Sequence, residues 1–477
     1  MQPERECQPG LGGMAGSTTI GAPFPFARAV PSMAHDSSKR PASGCPVTRI
    51  GITGLSGAGK STLITAIINH LENARRGALA DQPGLAAIRH GRWHREIDRA
   101  FDYDHALTAL TSQPPSWPES TRDWSIARLT LDYRRRWYSL RPRRRCLELF
   151  DYPGEWLLDL SLLDWSFAEY SAHWRDWLAR HPRREIAPGL LEALAAIDPT
   201  APLDTERMES LSARWSMMLA DSRLPPHRLS RNLPGRWLMP GEGFDPDAMP
   251  FLPLPAVVTE GVGDRPAGSW GEVCERHFLH YRDRIARPFF ESHFGRLDAQ
   301  VILVDLLGAL RSGQAALADM RAALESILEP FRYREGHWLA NLFGRRIRRV
   351  AIVATQIDHL LPADQARLSR LLDSYLFELT QSLAGKDVEL RLFAVSSVTA
   401  AQSREDARGE PMLVGTEKSS RRKIAFTPPA IPEQMPHDLD LVIDDLPTLA
   451  PPAGLDRARP FPGRRVDTLL DFLIGEH

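Results

Sequence analysis

The stretch "GLSGAGKS", Gly54 to Ser61, constrains this chain more than any other. It satisfies G-x-x-x-x-G-K-[S/T] in full. An apolar run, "VTRIGIT" (47–53), precedes it, and "STLITAIINHL" (61–71), with helical apolar spacing, follows. Glycines let the backbone curl with its N–H groups turned inward, and the helix N-terminus behind them adds its own donors. Together these cradle phosphate oxygens. In such a loop Gly54, Ser56, Gly57, Ala58, Gly59 and Thr62 line the cradle, Lys60 reaches the β- and γ-phosphates, and the Ser61 hydroxyl binds Mg²⁺. A chance glycine turn would lack the strand before it and the helix after it.

Strand-like runs continue along the chain: "SIARLTLDYR" (125–134), "CLELFD" (146–151), "QVILVDLL" (300–307), "RVAIVAT" (349–355) and "VELRLFAVSS" (388–397). Helical patterns around 314–330 and 363–384 alternate with them, and "RVDTLLDFLIGE" gives a last helix. Alternation of this kind predicts an α/β fold, a mostly parallel sheet flanked by helices. Residues 72–125 read as irregular, with several prolines. Between "CLELFD" and "QVILVDLL" lies a mainly helical insert. In it Leu163, Phe167, Tyr170, Trp174 and Trp177 share one helix face, and "EVCERHFLHYRDRIARPFFESHF" is a further helix that Pro288 should kink or split.

The expected organisation is thus a P-loop core at 47–155 and 300–400, an insert at 156–299, an extended arm at 401–465 and a C-terminal helix at 466–477. The arm is expected because nine prolines fall between Phe426 and Gly463. Residues 1–46 are rich in Gly, Pro, Ser and Ala and read as disordered, or as preceding a later start at Met14 or Met33. A net charge of −1 over 477 residues gives no general reason to expect nucleic-acid binding. No run of 18 apolar residues suggests a membrane span. Cys7, Cys45, Cys146 and Cys274 have no metal or disulfide spacing, which fits a reducing, cytoplasmic setting.

Three further motifs narrow the chemistry. "FDYPGEW" ends the third expected strand. Its Asp151 stands where a second acidic group holds Mg²⁺, and Asp-x-x-Gly lets the Gly154 N–H sense a γ-phosphate. Glu155 follows, where a water-orienting Gln is found in Ras-like GTPases; a carboxylate there could accept the water's proton but would be repelled by the γ-phosphate. "SWPESTRDW" offers Thr121 to complete a Mg²⁺ shell, with Ser120 as competitor. "ATQIDH" fits the base-reading pattern [NT]-K-x-D at Thr355 and Asp358, with Gln356 in the Lys position. A carboxylate at 358 would accept from guanine N1–H and the 2-amino group, donors that adenine lacks. "AVSSV" then puts backbone N–H groups near Ser397 and Val398 where a third base loop belongs.

These segments, with "PPSWPESTR" and "RPFFESHFGRLDAQVILVD", together resemble the YcjX-like P-loop proteins, from about residue 48 to the end. The resemblance implies a Ras-like core that uses GTP/GDP and Mg²⁺, and a link to cell stress. Members usually have Lys where Gln356 stands and often Arg where Thr399 stands, and their N-terminus is commonly a helix. ATP stays open as the nucleotide. "GLSGAGKST" is also similar to the loop of small-molecule kinases, notably adenylylsulfate kinases, so an ATP-dependent kinase is one alternative; a nucleotide-stabilised scaffold is another. In the GTPase case Lys60 stabilises the transferred phosphoryl group, Glu155 positions water, and the insert, which follows Glu155 directly, carries the output to a protein partner.

Weaker signals have plainer explanations. "RRRWYSLRPRRR" (134–145) carries seven arginines around Trp137 and Tyr138. A solvated hairpin tip accounts for it, and contact with an anionic surface, such as the inner face of a membrane, is the alternative. His277, His280 and His293 lack the companion ligands of a metal site. "KSSRRK" (418–423) reads as an exposed loop.

Overall fold

A computed structural model describes residues 45–475 except 56, 80, 120–121, 135–142, 256–264, 330–346, 384–387 and 433–445. Ser56, Ser120, Thr121, the tip of the basic hairpin and all but the end of the segment 1–46 therefore lie outside the described residues.

Seven strands form one sheet: β1 (Val47–Gly54), β2 (Ile88–His94), β3 (Ser125–Tyr133), β4 (Arg144–Asp151), β5 (Ala299–Val304), β6 (Arg349–Ala354) and β7 (Glu389–Ala394). Their order is β2-β3-β4-β1-β5-β6-β7. From β4 to β7 all neighbours are parallel, while β2 and β3 run antiparallel at one edge. The parallel strands are buried on both faces, which explains their unbroken apolar runs: Ala299–Val304 is buried throughout, and β6 at all but Arg349. One apolar cluster joins the Lys60–Glu72 helix, the C-terminal Val466–Ile474 helix and one face of the sheet; another joins the opposite face to the insert. The expected α/β fold with a mostly parallel sheet flanked by helices is the fold observed.

Two local expectations need correction, and one on a helix break is met. Residues 72–125 are not simply irregular: they hold β2 and the Tyr103–Thr111 helix. In β2, Gly91 fits directly over Leu71, whose Cβ would lie 2.8 Å from any Cβ added at 91. The long helix is split next to Pro288, as expected. The chain passes from the Trp270–His280 helix through a π-helical stretch, Tyr281–Ala286, into the Arg287–His293 helix, with Pro288 in the first turn of that last segment. The segment after 400 is not wholly extended either: β8 (Gln402–Glu405), β9 (Pro411–Thr416) and β10 (Lys423–Phe426) make a small antiparallel sheet.

Between β4 and β5 the described elements are helical. Their core is aromatic: Trp174 packs edge-on to Trp215 at 4.6 Å, and Tyr170 stacks on Phe278. Buried Asp319 accepts from Arg183 at 2.9 Å and Arg231 at 3.1 Å, which ties this region to the Gln314–Leu328 helix. Those two guanidiniums hold its carboxyl down at about 2 against the opposing pull of burial.

Candidate functional site

Sheet register decides what meets at the carboxyl ends of the strands. Ile52 of β1 is level with Asp151 of β4, Gly54 with Leu303 of β5, Val304 with Ala354, and Ala354 with Ala394. The loops leaving β1, β4, β6 and β7 therefore open on the same side, where α/β sheets take ligands. A cavity of about 370 Å³ lies there.

Its floor is the glycine-rich loop. Gly57 and Gly59 have φ of +78° and +76°, left-handed values that glycine adopts at little cost. The Leu55 N–H donates to the Leu303 carbonyl at 3.0 Å, fixing the loop to β5. Lys60 Nζ lies 2.7 Å from Asp151 Oδ1, and the carboxylate is almost wholly buried. The Ser61 hydroxyl donates to the carbonyl of Glu119 at 3.1 Å. That contact brings the segment leading to Thr121 onto the loop.

Gly154 is required by close approach of backbone. A Cβ added there would stand 1.9 Å from the Gly54 carbonyl oxygen. One residue on, the same device recurs against the insert, where a Cβ on Gly235 would stand 2.0 Å from the Glu155 carbonyl oxygen. Around these contacts the 234–240 segment clasps the turn after β4. The Gly235 N–H donates to Asp159 at 2.7 Å, Trp156 Nε1 donates to the Met239 carbonyl at 2.7 Å, and the Arg236 guanidinium lies 3.6 Å from the centre of the Trp156 ring. Burial pushes the Asp159 carboxyl up to about 7, against the opposing effect of its hydrogen bonds from Tyr281 and Gly235.

At the other end of the cavity, Thr355, Gln356 and Asp358 line the wall with Ser397 and Val398. Gln356 is held at φ +62°, an uncommon conformation for a residue with a side chain. Asp358 Oδ2 accepts from the Ala400 N–H at 2.7 Å; Oδ1 has no hydrogen-bond partner among the described residues. Thr355 Oγ1 is buried, also without one.

The sequence-predicted residues Gly54, Gly57, Ala58, Gly59, Lys60, Ser61, Thr62, Gly154, Glu155, Thr355, Gln356, Asp358, Ser397 and Val398 thus surround one cavity, with Asp151 beneath it on Lys60. Ser56 and Thr121 lie outside the described residues. The sequence reading missed other wall residues. Trp117 donates from Nε1 to the Leu449 carbonyl at 2.7 Å. Lys418, Thr448 and Leu449 come from the far C-terminal part of the chain, and Arg223 and Met239 come from the insert. Trp117, in "PPSWPESTR", and Lys418, in "KSSRRK", stood in segments already singled out, though neither was read as part of a site. No group of His, Cys, Asp and Glu suited to a metal occurs among the described residues. His293 is instead packed between aromatic rings at 4.8 Å from Phe150, with burial lowering its pKa to about 4.

A glycine-rich loop on β1, an acidic β4 terminus and a mostly parallel sheet of this order define a P-loop α/β protein. The model of the YcjX-like family, DUF463, matches residues 48–477, and the chain belongs to that family. It is 32% identical over 449 residues to a protein of Escherichia coli (strain K12) named Ras-like GTPase YcjX, a match covering 90% of this chain and 95% of that one. It is 33% identical over 378 residues to the Ras-like GTPase YcjX of Shewanella oneidensis (strain MR-1), covering 74% and 77%. No helix among the described residues is long and apolar enough to cross a membrane.

Proposed function

We propose that this protein binds GTP with Mg²⁺ and hydrolyses it slowly, as a switch whose output is the helical insert. The observation that carries the proposal is one cavity lined at one end by the glycine-rich loop and Gly154, and at the other by Thr355 and Asp358. The name of the two relatives supports the same activity.

The hydroxyl of Ser61 and the carboxylate of Asp151 are the hard oxygen donors that Mg²⁺ prefers, and they stand beside the loop that would hold the phosphates; Thr121, outside the described residues, is the proposed third donor. Bound there, the ion would neutralise charge on the β- and γ-phosphates. Lys60 leaves its contact with Asp151 to face the phosphoryl oxygens. The Gly154 N–H faces the γ-phosphate, and Glu155 orients the attacking water. The Asp358 carboxylate accepts from guanine N1–H and the 2-amino group, which disfavours adenine because adenine offers neither donor.

The insert, 156–299, is the output because Gly154 and Gly235 link the phosphate loop to it through two successive backbone contacts, so a shift at Gly154 has no slack to absorb it. The arm, 401–465, closes the base end. A protein partner that reads the insert follows from this arrangement.

Calorimetric titration with GTP and ATP in Mg²⁺ tests the nucleotide. GTP should bind at least about tenfold tighter than ATP, and Asp358→Asn should abolish the gap. Equal affinities in the native chain would sink the guanine assignment. Hydrogen exchange over 156–180 tests the output: it should differ between the GDP and GTP-analogue states, and identical protection would refute it.

A further inference from the structure

We infer that Arg223, the last residue of the Thr205–Arg223 helix in the insert, is a built-in arginine finger that completes the hydrolytic site. The inference rests on the GTPase proposal and deepens it. Three observations carry it.

Arg223 lines the same cavity as Gly57, Lys60 and Gly154, and it is the cavity's arginine among the described residues. Its Nη2 lies 3.6 Å from Glu155 Oε1, and both side chains are largely buried, at 19% and 11% exposure. Glu155 in turn adjoins Gly154, whose backbone sits on the first glycine of the phosphate loop. The guanidinium therefore stands beside Glu155, at the end of the cavity that Gly154 lines. Finally, the backbone behind it is fixed to the core. Gly235 abuts Glu155, and Arg228 donates to Asp305, at the end of β5, at 2.9 Å. A short anchored segment presents Arg223 to the cavity.

The pairing with Glu155 also answers a difficulty raised by the sequence. A carboxylate facing a γ-phosphate is repelled by it unless a cation lies between them. Arg223 supplies that cation, and its planar fork has donors enough for a carboxylate and a phosphoryl oxygen together. In the reaction the water oxygen forms a bond to the γ-phosphorus while the bond to the β,γ-bridging oxygen breaks. GDP leaves with that electron pair, and the water's proton ends on the released phosphate. Charge grows on the equatorial and bridging oxygens, where a desolvated guanidinium is worth most.

Single-turnover hydrolysis by the full chain tests this, alongside affinities for GTP, GDP and GDP–aluminium fluoride. Arg223→Ala should slow hydrolysis by a factor on the order of 10³, leave GDP affinity within about threefold, and remove the extra affinity for GDP–aluminium fluoride. Arg223→Gln should behave in the same way and serves if the alanine variant unfolds. Free guanidinium at millimolar concentration should restore part of the rate. The loss should persist in a Glu155→Gln background; if it vanishes there, Arg223 only shields Glu155 and the inference fails. A variant that hydrolyses at the native rate, or loses GDP affinity as much as rate, also overturns it. A native chain that binds GTP yet never hydrolyses it overturns the GTPase proposal itself, a different result from native turnover unaffected by Arg223→Ala.

Discussion

The two ends of the cavity, one proposed to take the phosphates and the other the base, are built by different strategies. The phosphate end comes from short stretches that follow β1 and β4, and its groups are fixed by backbone: the left-handed Gly57 and Gly59, and Gly154 against the Gly54 carbonyl. The base end is assembled from three distant parts of the chain. Asp358 is positioned by Ala400, and Trp117 is tied to Leu449, far apart in sequence. A phosphate offers the same tetrahedral oxygens in every nucleotide, so one local frame suffices to hold it. A base is a flat, mostly apolar plate with a few polar edge groups, so binding it takes walls from several directions. On this reading the first frame should tolerate almost no change, whereas the second should tolerate Gln356.

If that contrast holds, the largest effect should follow from Gly154→Ala. The added methyl would meet a backbone oxygen at 1.9 Å, and neither backbone segment can rotate away as a side chain could. We expect a loss of stability of at least about 3 kcal/mol, at the upper end of what overpacking costs, and nucleotide binding too weak to measure. Thermal melting and calorimetry check both. A variant of native stability that binds GTP normally would show that the phosphate end is as forgiving as the base end.

Lys60→Ala should come next. It removes the charge meant for the phosphates and also strips nearly buried Asp151 of its 2.7 Å partner. Breaking a buried pair costs about 3–5 kcal/mol when one charge is left behind. Lys60→Ala with Asp151→Asn should recover most of that stability but none of the nucleotide affinity. Chemical denaturation and nucleotide titration of both variants separate the two roles, and recovery of binding in the double variant would contradict the role given to Lys60.

How much of this was legible before the fold was known follows the same division. The phosphate end could be read because its residues sit in contiguous motifs at strand ends, and the strands carry uninterrupted apolar runs. Asp358 could be read because T-x-x-D follows such a run. Trp117, Lys418, Thr448 and Leu449 could not be connected, because no local pattern reports that a segment beyond residue 400 folds back on one near 117. β8 is exposed at every position, so it lacks the alternation that marks a half-buried strand, and prolines nearby suggested an extended arm. β2, "IRHGRWH", hides behind histidines and a glycine for a related reason: Gly91 is there for contact with Leu71, not for strand propensity. Arg223 gave no signal at all, since an arginine at a helix end is ordinary until the fold brings it to Glu155.

A smaller effect is expected at the wall that does not discriminate between bases. Trp117→Ala removes the hydrogen bond to the Leu449 carbonyl, worth about 1 kcal/mol, together with an aromatic surface at the cavity. GTP and ATP should both bind about tenfold more weakly, with their ratio unchanged, because a ring face meets either purine equally. Titration with both nucleotides checks this. A change in the ratio would mean that Trp117 reads a polar edge of the base and that the base end is more specific than a set of walls.

The smallest effect should come from Gln356→Lys, and it sharpens the comparison most. The backbone at 356 is already left-handed at φ +62°, so the substitution adds no new strain of that kind. Lysine brings two more methylenes, each worth about 0.8 kcal/mol if fully buried, and the two side chains lose similar rotamer freedom when ordered. Position 356 is only partly buried, so about half of that gain is expected, and purine nucleotides should bind no more than about fivefold tighter, GTP and ATP alike. A gain of a hundredfold would mean that the base end of this chain is deficient. A gain near the expected size means that Trp117 and the C-terminal segment already cover the base, and that Gln356 is tolerated because they do.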